Sequence, residues 1–449
     1  MKDKITLRKI PYPYKAALAI CSDLDKINRE KFDQIHDFLS SNKPTLLGNG
    51  LELEIADSFW MYSSSSDTVN AFSYFEGISE KPSYNAIKIE EMISAGFIDS
   101  LHTYGDFSEY PGFNRELAKR ALAQMHKKNM KISVWINHGN IHNFQNIGIK
   151  TALGDVEYIS AVDGGKRKCI EYHADLTLPF GFKYLWIDEL TEIVGQERPC
   201  GIIEAVFSKL FESKPTKSLF HKLMLILVPF LLILQNKLSL KLKINVVLNK
   251  LFPKAFNGNN DLIKVITLRD GQKAYSFKRY GRFGVDNADA LPKLLSKPTL
   301  KKLKHNMGIM VLFVHLAKSD NQKNIFSTQA CDALRYLSAQ EKSGQIYVTT
   351  TSKLLHYTVL KKFLKWRAQH RPDEIEIIIE KVEDPVYGDY IPTVQQLQGI
   401  TFYVPDAQKI SVSINGNKIP VSRNLPDFTG KESVTIPLTR LKYPNNINA

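Results

Sequence analysis

Between Lys15 and about Arg371, short apolar runs alternate with stretches whose apolar positions recur three and four residues apart. AALAICS (16–22), GFIDSLHT (96–103), KISVWINH (131–138), GIMVLFVH (308–315) and GQIYVTTT (344–351) predict strands. NAIKIEEMISA (85–95), NRELAKRALAQMHKKN (114–129) and STQACDALRYLSAQEKSG (327–344) predict amphipathic helices, the last closed by Gly344. Strands and helices in alternation predict an α/β unit with mostly parallel strands over residues 1–372.

Beyond this point the period changes. EIEIIIEKV (374–382), GITFYVPD (399–406), KISVSINGNKIPVS (409–422) and ESVTIPL (432–438) cluster β-formers between turn residues, with a hairpin at Asn415, Gly416 and Asn417. Residues 373–449 are therefore expected to form a small β-sandwich-like appendage. VLKKFLKWRAQHR (359–371), just before it, reads as a helix with a solvated lysine face. Residues 205–260 interrupt the α/β rhythm. Their core, LMLILVPFLLIL (223–234), is too short for a spanning helix, which needs about 20 apolar residues. Lys217, Lys222, Lys237, Lys241, Lys243, Lys250 and Lys254 frame it. A buried helical insertion and an interfacial helix pair touching anionic headgroups through residues 217–254 are both consistent with the pattern.

The 449 residues, 43% hydrophobic and 24% charged, are enough for two or three folded units and exclude a disordered chain. A net charge of +14 invites anionic partners, but the basic residues are dispersed rather than gathered with aromatics, which argues against nucleic acid. Cys21, Cys169, Cys200 and Cys331 form no CxxC pair, and the first apolar run, ending in acids, is too short for a secretory signal. The expected location is the cytoplasm, with the inner face of the cell membrane as the place for peripheral contact.

In such folds reactive groups stand where strands end. Asp23 and Asp25 follow AALAIC, His102 and Asp106 follow GFIDSL, His138 and His142 follow ISVWIN, and His315 follows MVLFV. Asp25, His102 and Asp106 would make an N/O donor set for a divalent metal ion, zinc or alternatively cobalt, nickel, manganese or iron. Asp23 would then take a proton from water and His315 would return one to a leaving amine.

The ordered set CSDLD, HTYGD and VLFVH followed by GQIYVTTTSKLL resembles the NodB-homology polysaccharide deacetylases over roughly residues 12–358. The resemblance implies an irregular (β/α) barrel of about seven strands, carrying the helical apolar insertion and the all-β domain. It also implies metal-dependent N-deacetylation of an N-acetylated sugar in a polysaccharide or lipid-linked glycan. Asp23 matches the family's base, Asp25 and His102 its first two ligands, Thr103 its small hydroxyl position and His315 its acid. Asp106 stands where the family has a second histidine. The arginine and proline motif that braces the base is replaced by WINHGNIHN, leaving Arg279 in SFKRYGRFG as the candidate brace and also a candidate substrate contact. His138 and His142 become substitute ligands or substrate contacts, and Tyr104 and Trp135 offer aromatic faces to a sugar ring. With these departures, an active deacetylase and a glycan-binding protein without turnover both remain open.

Overall fold

The structure is a computed structural model that describes residues 5–24, 27–63, 72–107, 113–137, 172–187, 189–200, 259–268, 270–282, 284–319 and 325–444. One curled, half-barrel sheet of eleven strands dominates it. In chain order these are β1 (Ala16–Ser22), β2 (Asp57–Phe59), β3 (Ile98–His102), β4 (Val134–Ile136), β5 (Tyr184–Trp186) and β6 (Leu190–Thr191). They continue with β7 (Ile263–Thr267), β8 (Lys273–Phe277), β9 (Arg279–Tyr280), β10 (Ile309–Val314) and β11 (Ile346–Val348). The spatial order is β6-β9-β10-β1-β2-β3-β4-β5-β8-β7, with β11 also on β1. Only the β7–β8 pair within this sheet is antiparallel. β8 and β9 are separated by Lys278 alone, yet β8 pairs with β5 and β9 with β10. The run from Lys273 to Tyr280 therefore joins the two flanks of the curl.

β1 is buried at all seven positions, as expected for a strand covered on both faces. Its period of two divides it between two cores. Ala16, Leu18 and Ile20 join the cluster beneath the helices, whereas Ala17, Ala19 and Cys21 join a second cluster with Val311, Phe313, Trp186 and Tyr275. Among the described residues eight helices accompany the sheet: α1 (Arg29–Ser40), α2 (Ala86–Ala95), α3 (Arg115–Lys127), α4 (Ala174–Phe180), α5 (Leu291–Leu294), α6 (Lys297–His305), α7 (Thr328–Lys342) and α8 (Thr351–Phe363). Asn28, Asn114, Ser327 and Thr350 cap α1, α3, α7 and α8 by accepting a backbone N–H three residues on, which sets where each begins. Gly344, expected to end α7, sits just past it at φ +68°. No described helix is long and apolar enough to cross a membrane.

The helix expected through residue 371 ends at Phe363, and Leu364–His370 is a strand. From Leu364 apolar and polar residues alternate, placing Leu364, Trp366 and Ala368 on one face, where Trp366 meets Phe402 edge-on at 4.9 Å. The β unit thus starts nine residues earlier than the expected 373. Its five-stranded sheet (Leu364–His370, Ile375–Asp384, Gly388–Tyr390, Ile410–Ile414, Asn417–Ile419) shares one core with a four-stranded sheet. That second sheet borrows Thr6–Leu7 from the other end of the chain and pairs it with Thr401–Tyr403. The hairpin at Asn415 and Gly416 is present, both residues having positive φ.

After Ser433–Thr435 the chain returns to the α/β unit. Arg440 pairs with Glu341 at the end of α7, Lys353 Nζ donates to Glu54 Oε2 at 2.8 Å, and the Leu441 amide donates to Glu54 Oε1 at 2.6 Å. Burial pushes the Glu341 carboxyl up and Arg440 pulls it back only in part. Arg440→Met should therefore destabilise the protein by about 1–3 kcal/mol, a modest figure because the Arg440 side chain is 40% exposed. Since the Glu341 value is raised, the neutral form is favoured when folded, and the deficit should widen as pH rises from about 5 to 8; urea unfolding at both pH values measures it.

The strands Arg198–Pro199 and Asn259–Asn260, flanking residues 201–258, pair with each other beside the N-terminal end of β10, where Gln196 bridges Ile309. His315 stands at the other end of β10, about 20 Å away at ~3.3 Å per residue. The apolar insertion expected at 205–260 otherwise lies outside the described residues, and with it any contact by residues 217–254.

Candidate functional site

β1 and β10 run parallel in register from Ile309 opposite Ala17 to Val314 opposite Ser22, so Asp23 and His315 leave the sheet side by side. The Asp23 amide donates to the Val314 carbonyl at 3.0 Å, which holds this exit. Arg279, the first residue of β9, reaches Asp23 with a two-pronged bond: Nη1 donates to Oδ1 at 2.6 Å and Nη2 to Oδ2 at 3.0 Å. Both residues are buried, Arg279 completely. The guanidinium lies 3.5 Å from the centre of the Trp186 ring and 4.2 Å from that of Phe313, so aromatic faces replace part of its lost water. Burial alone would raise the Asp23 pKa. The facing Arg279 cation, the neighbouring His102, the Arg279 hydrogen bonds and His315 together outweigh that and hold the carboxyl below its ordinary value, ionised at neutral pH. Cys21, one turn of the strand away, is pushed up to about 12 by burial and is an inert thiol.

Two histidines face the same carboxylate oxygen. His102 Nε2 and His315 Nε2 each lie 3.9 Å from Asp23 Oδ2, too far for a direct hydrogen bond. Their outer nitrogens meet opposite chemistry. His315 Nδ1 meets two acceptors of Asp286, the carboxylate at 3.1 Å and the backbone carbonyl at 3.2 Å, so it carries a proton. His102 Nδ1 accepts the indole N–H of Trp60 at 3.0 Å. The turn after His102 is strained: Thr103 has φ +51°, unusual for a β-branched residue, and its hydroxyl donates to the His102 carbonyl at 2.6 Å. Two residues on, a side chain on Gly105 would stand 2.3 Å from the Tyr62 carbonyl, so HTYGD needs its glycine for close approach of two backbones.

Asp23, His102, Arg279 and His315 thus come together, and Arg279 braces Asp23; the substrate contact also expected of Arg279 is overturned, because the side chain is completely buried with both Nη atoms on Asp23. Asp25, His138 and His142 lie outside the described residues. Asp106 belongs to the two-residue strand Gly105–Asp106, which pairs with Tyr62–Ser63, and its side chain lies outside the described atoms. The expected sugar-stacking roles of Tyr104 and Trp135 are overturned, because both are fully buried. Tyr104 stacks on Phe113 at 5.6 Å, meets Trp135 edge-on at 4.9 Å and shares a hydrogen bond with Thr177, so neither ring has a face left for a ligand. Trp60 and Asp286 are the site residues not foreseen. Trp60 directly follows β2, so the strand-end rule would have found it had ADSFW been read as a strand. Asp286 precedes His315 by 29 residues, and the parallel bridge between Asn287 and His315, with the His315 amide donating to the Asp286 carbonyl, brings it close.

The chain matches no model of a known protein family and no curated protein.

Proposed function

We propose that the chain is a hydrolase that removes the acetyl group from an N-acetylated sugar of a polysaccharide or lipid-linked glycan. On this reading the curled sheet, bridged by Lys273–Tyr280, is the irregular seven-membered (β/α) barrel of NodB type. The observation that carries the proposal is the pair of carboxylate–cation devices on one strand-end surface: Asp23 clamped by Arg279, and His315 mounted on Asp286.

The chemistry follows from their states. Water attacks the acetyl carbon while Asp23 takes its proton and the carbonyl electron pair moves onto oxygen. As that pair returns, the C–N bond breaks and the nitrogen takes a proton from the Nε2 of His315, whose imidazolium form the Asp286 carboxylate supports. Acetic acid and the free amine leave, and the proton on Asp23 passes back to His315.

The resemblance also brings a divalent metal ion. Of its three implied donors only the His102 side chain is described, and the Trp60 N–H on its Nδ1 leaves the proton on Nε2, the nitrogen that faces Asp23. A protonated nitrogen does not fit a ligand, so no step above passes through a metal. Glycan binding without turnover remains as a second reading on one observation: the clamp that keeps Asp23 ionised also weakens it as a base.

Acetate release from N-acetylated oligosaccharides separates the two. The wild type should release acetate, with or without prior chelation, and Asp23→Asn should reduce the rate at least about 100-fold. Binding of the oligosaccharide with no acetate from the wild type would leave only the binding protein.

A further inference from the structure

At the end of β10 opposite His315, three pieces of the chain converge: the segment before β1, the last turn of α8 and the paired strands Arg198–Pro199 and Asn259–Asn260. The Tyr357 hydroxyl of α8 donates to the Lys9 carbonyl at 3.4 Å, and Lys361 follows Tyr357 by one helical turn on the same face. Next to it, Lys362 Nζ lies 3.6 Å from Asp261 Oδ2, which ties α8 to the end of the Asn259–Asn260 strand. Lys9 and Lys361 are half-buried, and among the described residues neither ammonium has a hydrogen-bond acceptor or a carboxylate within 4.0 Å. Burial and the facing Lys361 lower Lys9 to about 8, with Arg198 adding to the effect and Glu197 opposing it. Lys361 is lowered in turn by burial and by Lys362, again against Glu197. Glu197 is already engaged, since its Oε1 accepts the Leu262 amide at 2.9 Å. Arg198 is the third cation, held in place by Nη1 on the Pro199 carbonyl at 2.9 Å and Nη2 on the Val194 carbonyl at 3.2 Å.

We propose that Lys9 and Lys361, with Arg198 beside them, form a binding site for a phosphate group, at the opposite end of the sheet from Asp23 and independent of the reaction proposed there. The charge balance selects this chemistry. Two like charges brought together with partial loss of their water destabilise each other, and an anion with several acceptor oxygens relieves both at once. A phosphate group carries a charge of about −1.5 to −2 at neutral pH and accepts from more than one ammonium, so it matches the surplus better than a single carboxylate. A soluble phosphate and a phospholipid headgroup present this same group. The lipid source has a reason in the chain itself: residues 201–258 leave and re-enter the fold between the paired strands, and their sequence holds LMLILVPFLLIL with its flanking lysines.

The test is calorimetric titration of the full chain with inorganic phosphate at about pH 8, with ionic strength held constant by chloride, in two buffers of different ionisation enthalpy. The wild type should bind phosphate saturably and take up protons from the buffer, because an anion beside Lys9 raises a value that otherwise lies near that pH. Lys9→Met and Lys361→Met should each weaken binding about 10-fold or more, and Lys9→Met should remove the proton uptake. Lys365→Met, which changes a lysine paired with Glu383 at 3.0 Å, should bind as the wild type does. Flotation with phosphatidylcholine vesicles, with and without phosphatidylglycerol, separates the two sources. Binding to the anionic vesicles that inorganic phosphate competes away and Lys9→Met/Lys361→Met weakens assigns the site to a lipid headgroup. Phosphate binding accompanied by vesicle binding that ignores the double variant, or by none, assigns it to a soluble phosphate. No saturable phosphate binding by the wild type, or equal binding by the double variant, would overturn the proposal and leave two hydrated lysines; the first of these is read whatever the variants' stability.

Discussion

Arg279→Met should lower the stability of the protein by about 3–5 kcal/mol and eliminate acetate release, because it leaves a buried carboxylate with no cation. The Asp23–Arg279 bond is worth less than this loss suggests: each ion has given up its water, and much of the effect of removing one partner is the desolvation of the other. The variant Asp23→Leu/Arg279→Met, which removes both charges, should therefore be markedly more stable than Arg279→Met alone, though equally inactive. The pH dependence has a definite sign. Asp23 has a lowered value in the folded state, so its ionisation supports folding above the ordinary carboxylate range and that support disappears as pH falls through the lowered value. Without Arg279, burial sets the carboxyl above its ordinary range, so the gap between wild type and Arg279→Met should close in acid and widen as pH rises from about 4 towards 8. Urea unfolding across that range provides the measurement, and a single variant within about 1 kcal/mol of wild type at pH 7 would mean that water reaches the carboxylate.

How far this centre can be read from the chain depends on whether each residue's role is local. Asp23, His102 and His315 are legible because a buried strand leaves a clear apolar run, and the residue after the run must emerge at the sheet's end. Arg279 was reachable as the brace only because an arginine was wanted for Asp23, and SFKRYGRFG, a run ending in a turn, supplied one. Asp286 has no such signature, since its carboxylate matters only after the chain folds back on β10. Trp60 was hidden by its strand: Asp57–Phe59 has just three residues, too few to establish a period. Tyr104 and Trp135 failed for the converse reason. Aromatic residues within a motif or at a strand look alike whether they face a ligand or a core, and burial decides. The strand from Leu364 is hidden because Lys365 and Arg367 alternate with Leu364, Trp366 and Ala368, a period of two that also satisfies part of a helical pattern at the end of α8.

His315→Gln should reduce kcat by about 10²–10⁴, the usual worth of a positioned general acid, and should cost less stability than Arg279→Met, since its partner Asp286 is partly exposed and is not left as a fully buried carboxylate. Asp286→Asn is the more informative change. The amide can keep a hydrogen bond to Nδ1, but the negative charge 3.1 Å from it is gone. The leaving amine takes its proton from the ring that this contact orients, so Asp286→Asn should lower kcat by about 10-fold or more while KM stays near the wild-type value. A fall in kcat/KM carried by KM alone would make Asp286 a packing residue and would take the proton-transfer role away from His315.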